Sequence, residues 1–159
     1  MLHPRRVYLS GGMEYAENEG REWRAELQEW LERQGGWTVF NPNAESEGFL
    51  RTHYPGTDLR ALKQADPPLY RSIVSHIVMH DCREIAERSD IVVCRWDEGA
   101  ARGAGTKGEL TMARFFGKPV YLVTDIPETD IPGWVLGCTT AIFPDFADLR
   151  AFLLSQRRS

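Results

Sequence analysis

The chain has 159 residues, of which 42% are hydrophobic and 26% are charged, and its formal net charge is -4 at pH 7. This length predicts a single domain over residues 1–159, and the acidic balance argues against a nucleic-acid partner, because such proteins normally carry a clustered basic surface. Two short basic pairs, Arg5-Arg6 and Arg157-Arg158, lie near the ends of the chain, and we expect both to be solvated.

The cysteines and the hydropathy pattern point to a reducing compartment. Cys82, Cys94 and Cys138 are odd in number and widely separated, so they form no CxxC metal pair and no disulfide framework. No stretch is long and apolar enough to span a bilayer, and the N-terminus lacks the apolar region of a signal peptide. We therefore expect a cytoplasmic protein with no membrane partner.

The first third of the chain predicts a strand, a helix and a second strand. Residues 7–10 form a short apolar run that stops at Gly11-Gly12, and residues 37–40 form another. Between them, apolar side chains recur at helical spacing. They are Trp23, Leu27, Trp30 and Leu31. The Gly35-Gly36 pair is expected to end this helix.

Residues 44–68 have the weakest pattern in the chain. Turn signals at residues 54–56 and 67–68 predict a loop with short helical turns. A long irregular insertion in a compact domain is often functional, for example as a lid, but a merely decorative loop fits equally well.

The remainder of the chain alternates helices with strands. Helices are predicted from residue 69 to near 89, from 106 to 116 and at the C-terminal end, and strands at residues 91–94, 120–123 and 139–143. The run at 91–94 is apolar throughout, which is typical of a strand buried on both faces. This alternation predicts a three-layer α/β fold with a mainly parallel sheet.

A glycine-rich loop follows the third predicted strand and leads into a helix whose first turn contains Glu109. Residues 103–108 formally match GxGxxG, but they lie several residues after the strand, and Lys107 precedes Gly108, so neither a dinucleotide site nor a P-loop is favoured. The glycines, Gly103 and Gly105 among them, still allow a ligand to approach the backbone, and the helix start favours an anion. A glutamate there commonly stabilises only the helix dipole.

Other carboxylates strengthen the case for chemistry at this sheet edge. Asp97 ends the third strand, and Asp81 lies on the helix before it. Carboxylates that converge at one strand end suit either metal binding or nucleophile and general-acid roles. His76 and His80 have the spacing of a zinc-protease helix, but Ile77 stands where that motif needs glutamate, so we predict a surface pair and no metal site.

Four segments together resemble the nucleoside 2-deoxyribosyltransferase family. They are Val7-Tyr8-Leu9-Ser10-Gly11, Asp81 with Ile85 and Ser89-Asp90, Gly105-Thr106-Lys107-Gly108-Glu109, and Gly117-Lys118-Pro119-Val120. They span most of the chain. The resemblance implies a flavodoxin-like three-layer sandwich with a five-stranded, mainly parallel sheet, and an enzyme without metal or organic cofactor that forms a homodimer or a larger assembly.

The resemblance also implies roles for particular residues. Glu109 matches the family's nucleophile, Asp81 matches an aspartate that moves a proton to or from the base, and Tyr8 lies near the site. The reaction is cleavage of the N-glycosidic bond of (deoxy)nucleosides or, in relatives, of nucleoside 5'-monophosphates. This follows the double-displacement logic of retaining glycosidases. The sugar passes to another base or to water.

The expected substrate contacts surround these residues. In the relatives that hydrolyse nucleotides, a loop like Ser10-Gly11-Gly12 and a nearby arginine, here Arg21, hold the 5'-phosphate. Together with Arg102 and Lys107 near the glycines, this favours an anionic substrate. Trp96 is expected either to stack on a base or to cover the sheet edge. We further expect contacts from the loop, at Asp97, Gly103, Gly105 and Thr106.

Transfer and hydrolysis both remain open at this point. Transferases of the family commonly carry an aspartate six residues before the nucleophile, where this chain has Gly103; Asp97 or Glu98 is a candidate substitute. The segment from Arg102 to Glu109 also nearly matches the GGxGTxxE motif of cytokinin-activating phosphoribohydrolases, which makes that family the alternative enzyme. A nucleotide-binding sensor without turnover is the third hypothesis, and it would not need Glu109.

Overall fold

The computed structural model of the protein describes residues 3–156, and its centre is a five-stranded sheet in which every pair of neighbouring strands is parallel. The strands are β1 (Arg5–Gly11), β2 (Trp37–Phe40), β3 (Ile91–Arg95), β4 (Val120–Val123) and β5 (Ala141–Phe143). Their spatial order is β2-β1-β3-β4-β5. This is the flavodoxin-like order, in which ligands bind outside the carboxyl ends of the strands near β1 and β3.

Eight α-helices accompany the sheet within the described part of the chain. They are α1 (Arg21–Gln34), α2 (Pro42–His53), α3 (Leu59–Ala65), α4 (Pro67–Arg83), α5 (Glu98–Arg102), α6 (Gly105–Phe115), α7 (Gly133–Cys138) and α8 (Phe146–Ser155). A π-helical turn, Glu84–Arg88, extends α4 towards β3.

The sheet carries an apolar core on each face, because residues alternate between the faces along every strand. Tyr8 and Val92 belong to one core, together with Leu110 from α6 and Val135 from α7. Val7, Leu9 and Val93 belong to the other, which α1 and α8 cover with Leu27 and Leu149 among others. These two cores make the three-layer α/β sandwich predicted from the sequence, and that prediction of the fold is confirmed.

The prediction for residues 44–68 understates the helix content. Most of this segment belongs to α2 and α3, which begin at the capping side chains Asn41 and Asp58. Beyond Asn43, neither helix buries a side chain fully, so the apolar periodicity that reveals a helix is missing. The two short helices α5 and α7 were not predicted either.

Both basic pairs were predicted to be solvated, and for Arg6 of the N-terminal pair this prediction is wrong. Arg6 lies in β1 and forms an ion pair with the buried carboxylate of Glu84, while its backbone N–H donates to Asp90. The second pair, Arg157-Arg158, falls outside the described residues. Within residues 3–156, no helix has the length and apolarity needed to cross a membrane.

Candidate active site at the carboxyl end of β1

Glu109 lies on α6 beside β1, where two hydroxyl groups hold its carboxylate. The Tyr8 hydroxyl donates to Oε1 at 2.8 Å, and the Ser10 hydroxyl donates to Oε2. Tyr8 and Ser10 are two positions apart on β1, so both side chains point to the face that α6 covers. Both residues are fully buried, and the Tyr8 ring stacks on Phe40 at 5.1 Å between centroids. The carboxylate therefore has a fixed orientation.

Asp81, near the end of α4, is electrostatically coupled to the same group. Burial and the negative charge of Glu109 raise the pKa of Asp81 to about 8, although a hydrogen bond with Tyr8 opposes this shift. At neutral pH Asp81 is thus mainly a neutral carboxylic acid.

The pKa of Glu109 is also raised, and burial is the largest cause. The hydrogen bonds from Ser10 and Tyr8 and the positive charge of Arg24 stabilise the carboxylate and oppose that rise. Both pKa values are raised, but Ser10, Tyr8 and Arg24 oppose the rise at Glu109, whereas the negative charge of Glu109 adds to the rise at Asp81. Two carboxyls in different surroundings can divide the roles of anion and proton donor between them.

Sequence reasoning missed Arg24, which fixes the loop at the end of β1. It is 1% exposed, and its guanidinium donates to six neutral oxygen acceptors. They are the carbonyls of Leu9, Gly11, Gly12, Glu19 and Gly20 and the side-chain oxygen of Asn43. A signal was present in the sequence, since Arg24 precedes Leu27 and Leu31 by three and seven residues and so lies on the buried face of α1.

The glycines after β1 serve close packing inside the protein. Gly11 and Gly12 are buried, and a Cβ on Gly12 would stand 2.8 Å from the backbone nitrogen of Ala100. A Cβ on Gly99 would in turn stand 3.1 Å from the Cα of Ala16. The Ser10–Gly12 loop is therefore closed by α5, and Ser10 uses its hydroxyl on Glu109. The structure gives no support to the predicted phosphate cradle at this loop.

Trp96 and Asp97, two other predicted contact residues, have structural roles at the end of β3. Trp96 is 1% exposed and belongs to the core, so it offers no face for stacking on a base; of its two predicted roles, only the packing role fits. Asp97 caps α5 by accepting from the Ala100 N–H at 2.9 Å, and its carboxylate lies 3.5 Å from Arg95.

The three predicted contacts in the glycine-rich loop lie between α5 and the first turn of α6. Gly103 ends α5, and Gly105 is the first residue of α6, with no other atom within 4 Å of the place where a Cβ would stand. Thr106, the next residue, is buried.

A cavity of about 600 Å³ is lined by Asp81, but not by Glu109, Tyr8 or Ser10, and we call it the site cavity. Its walls come from the segment after β1, from α2 and α3, and from α4, which contribute Met13, Asn43, Arg60 and Tyr70 among others. Arg21 also lines it. A second groove of about 750 Å³ lies on the other side of α2 and shares Ser46, Ile77 and Asp81 with the first. The predicted Arg21 contact is thus compatible with its position.

The described residues hold no group of three or more His, Cys, Asp or Glu side chains placed to bind a metal ion. His76 and His80 are both exposed on α4, as predicted for a surface pair. In comparisons with known proteins, no family model matches the chain. No curated protein matches it either.

Proposed function

We propose that the protein cleaves the N-glycosidic bond of (deoxy)nucleosides or their 5'-monophosphates through a covalent glycosyl-Glu109 intermediate, and passes the sugar to another base or to water. The observation that best supports this is the carboxyl pair at the end of β1. Glu109 is held by the Tyr8 and Ser10 hydroxyls, and Asp81 beside it has a pKa raised to about 8. The sequence resemblance to nucleoside 2-deoxyribosyltransferases is consistent with the same chemistry.

In the first step, a Glu109 oxygen attacks the anomeric carbon of the sugar. The bond from that carbon to the base nitrogen breaks, and its electron pair stays with the base, which takes the proton of Asp81. A free purine or pyrimidine anion departs poorly, so this proton lowers the barrier through general-acid catalysis. The product is a glycosyl ester on Glu109, as in retaining glycosidases.

In the second step, the Asp81 carboxylate accepts a proton from the incoming base or water. The acceptor forms a bond to the anomeric carbon, the ester bond to Glu109 breaks, and both carboxyls return to their starting states. Tyr8 and Ser10 hold the nucleophile throughout, which reduces the entropic cost of reaching the attack geometry. This chemistry can proceed without a metal or an organic cofactor.

A homodimer or larger assembly in the cytoplasm is part of the proposal. Its support is a set of large apolar side chains that are exposed on or beside α4, α6 and α7. These are Val78, Met79, Phe115, Phe116 and Trp134. Exposed apolar side chains that form a contiguous patch commonly mark a protein interface.

One assay distinguishes the proposed reactions. The protein is incubated with deoxynucleosides and with nucleoside monophosphates, each with and without a second free base, and the products are separated by chromatography. A new nucleoside that forms only with added base indicates transfer, and free base from the donor alone indicates hydrolysis. Cleavage restricted to ribonucleoside monophosphates would favour the phosphoribohydrolase alternative.

The nucleophile is tested by Glu109→Ala, with the exposed Glu128→Ala as the matched control. We expect Glu109→Ala to reduce turnover by about 1,000-fold or more while the fold is retained, and the control to keep full turnover. Turnover that survives in Glu109→Ala would refute the role of Glu109. Nucleotide binding without turnover in the unmodified protein would favour the sensor hypothesis.

A further inference from the structure

The site cavity has more carboxylates than cations in its walls. Among the described residues that line it, the basic ones are Arg21, Arg60 and Lys63, and the acidic ones other than Asp81 are Glu14, Glu19, Glu47 and Asp58. Asp81 adds little negative charge at neutral pH, because its pKa is raised to about 8. The cavity is therefore slightly negative, although a phosphate site would be expected to be positive.

Each of the three cations is already bound to a carboxylate. Arg21 pairs with Glu47 and, at 2.8 Å, with Glu19. Arg60 lies 3.5 Å from the same Glu19 carboxylate, and Lys63 pairs with Glu14. Glu19 thus holds two of the cations at once, and an entering phosphate would have to displace these carboxylates while staying next to them.

The backbone holds Glu19 in this position. Asn18 and Glu19 both have left-handed backbone angles, with φ of 45° and 55°. Residues other than glycine rarely adopt this backbone conformation. The Glu19 carbonyl is fixed by the Arg24 guanidinium at 3.0 Å and by the Asn43 amide at 3.1 Å. Such strain persists only where the surroundings impose it. The backbone of Glu19 is therefore fixed, and its side chain, which is 34% exposed, places the carboxylate between Arg21 and Arg60.

The remaining cations near the loop are also occupied. Lys107 donates to the Ala101 carbonyl at 2.6 Å, and the Arg102 guanidinium lies 4.3 Å from the centre of the Tyr15 ring. Arg24 is buried and bound to backbone carbonyls. Of the groups that the sequence suggested for an anionic substrate, Lys107 thus donates to a backbone carbonyl, whereas Arg102 stays exposed beside a ring.

We propose that the site cavity selects sugar donors without a phosphate, so that the substrate is an uncharged (deoxy)nucleoside, and that Glu19 and Glu47 set this preference. The inference rests on the proposed function and narrows its substrate class. A carboxylate only accepts hydrogen bonds, so it suits the hydroxyl and amino donors of a nucleoside. A phosphate dianion offers only acceptors and meets like charge in the same place, which costs binding free energy.

Equilibrium binding tests this directly, in a Glu109→Gln background that prevents turnover. The probes are the four common 2'-deoxynucleosides and their 5'-monophosphates, titrated by calorimetry at constant ionic strength. We expect at least one nucleoside to bind about tenfold or more tightly than its own monophosphate. A monophosphate that binds as tightly as its nucleoside, or more tightly, would overturn the inference, and so would a cavity that binds neither class.

A paired substitution tests the two named residues. Glu19→Gln with Glu47→Gln frees Arg21 and should improve monophosphate binding relative to nucleoside binding by about fivefold or more. The control is Glu26→Gln with Glu29→Gln, which makes the same charge change on the exposed face of α1 and should leave the ratio unaltered. Glu47→Gln alone, at an exposed ion pair, serves if the double variant unfolds. An unchanged ratio in the Glu19 and Glu47 variants would overturn the assignment.

The outcome is separable from that of the proposed function. Selective nucleoside binding by a protein that produces no base and no new nucleoside would contradict the reaction but keep the selectivity. Turnover of monophosphates together with tight monophosphate binding would support the reaction but contradict the selectivity for nucleosides.

Discussion

At the scale of single residues, the site consists of two carboxyls in different electrical surroundings. Burial raises the pKa of both carboxyls. Hydrogen bonds from two hydroxyls and the charge of Arg24 oppose the rise at Glu109, whereas the charge of Glu109 adds to the rise at Asp81. We propose that this difference leaves the negative charge on Glu109 and the proton on Asp81. The proposed mechanism requires this distribution.

The first residue-scale prediction concerns the alkaline side of the pH profile. Because the proposed reaction needs Asp81 protonated, kcat/KM should fall above a pKa of about 8, by about tenfold per pH unit. Asp81→Asn should lose this limb and most of the activity, since an amide cannot give up a proton to the base. A profile that is flat from pH 7 to 10 would exclude Asp81 as the acid.

The second residue-scale prediction concerns the acidic side. Tyr8→Phe removes a hydrogen bond that stabilises the Glu109 carboxylate, so the pKa of Glu109 should rise and the acidic limb should move to higher pH. Tyr121→Phe is the control, because Tyr121 lies in the opposite core. An acidic limb that stays in place in Tyr8→Phe would show that the phenol does not stabilise the charged nucleophile.

At the scale of elements, the end of β1 is held from two sides. Arg24 of α1 donates to the backbone carbonyls of Gly11 and Gly12 at the end of β1, and α5 packs against Gly12. Ser10 remains in the strand, where its hydroxyl reaches α6. The geometry of the Glu109 site therefore depends on how α1 and α5 pack against the end of β1.

Gly12→Ala tests this packing. The added Cβ would stand 2.8 Å from backbone atoms of Gly99 and Ala100, so we expect a loss of about 1–3 kcal/mol in the free energy of unfolding. Gly48→Ala is the control, since Gly48 lies inside α2 with nothing within 4 Å, and it should gain about 0.5–1 kcal/mol. Urea unfolding measures both. A neutral Gly12→Ala would mean that the loop can move away from α5.

At the scale of the whole molecule, the parallel sheet brings distant segments to one edge. Tyr8 and Ser10 come from β1, Asp81 from the helix before β3, and Glu109 from the helix after it. The order β2-β1-β3-β4-β5 places β1 and β3 side by side, so the three segments meet. This arrangement partly buries two carboxyls, which lowers the free energy of unfolding when they are charged.

That cost predicts how stability depends on pH. The folded pKa of Asp81, about 8, exceeds its ordinary value of 3.8, so between these values the folded state binds more protons than the unfolded state. The contribution of Asp81 is then a penalty that is absent below pH 4, grows as the pH rises and is complete above about 8. Asp81→Asn should nearly match the wild type at pH 4 in unfolding experiments and exceed it at pH 9 by a few kcal/mol, at most about 6. Equal stability at both pH values would contradict the raised pKa.

Much of this fold could be predicted from the sequence, because its strands are short continuous apolar runs and four of its helices carry a clear apolar stripe. The helix α2 buries no side chain after Asn43, so no periodicity reveals it. Glu109, Asp81 and Tyr8 were identified from residue types and family resemblance. The role of Arg24, the closure of Gly12 by α5 and the burial of Trp96 depend on tertiary contacts between separate elements, which spacing along the chain does not encode.

The proposed mechanism requires a covalent bond between Glu109 and the sugar, and trapping that bond tests the mechanism at its first step. The protein is incubated with 2'-fluorinated nucleosides, whose electron-withdrawing fluorine slows release from the enzyme, then acid-quenched and digested for mass spectrometry. The account predicts one added fluoro-sugar on the peptide that contains Glu109, and none in Glu109→Gln. Cleavage of the nucleoside with no adduct, or with the adduct on another residue, would contradict it.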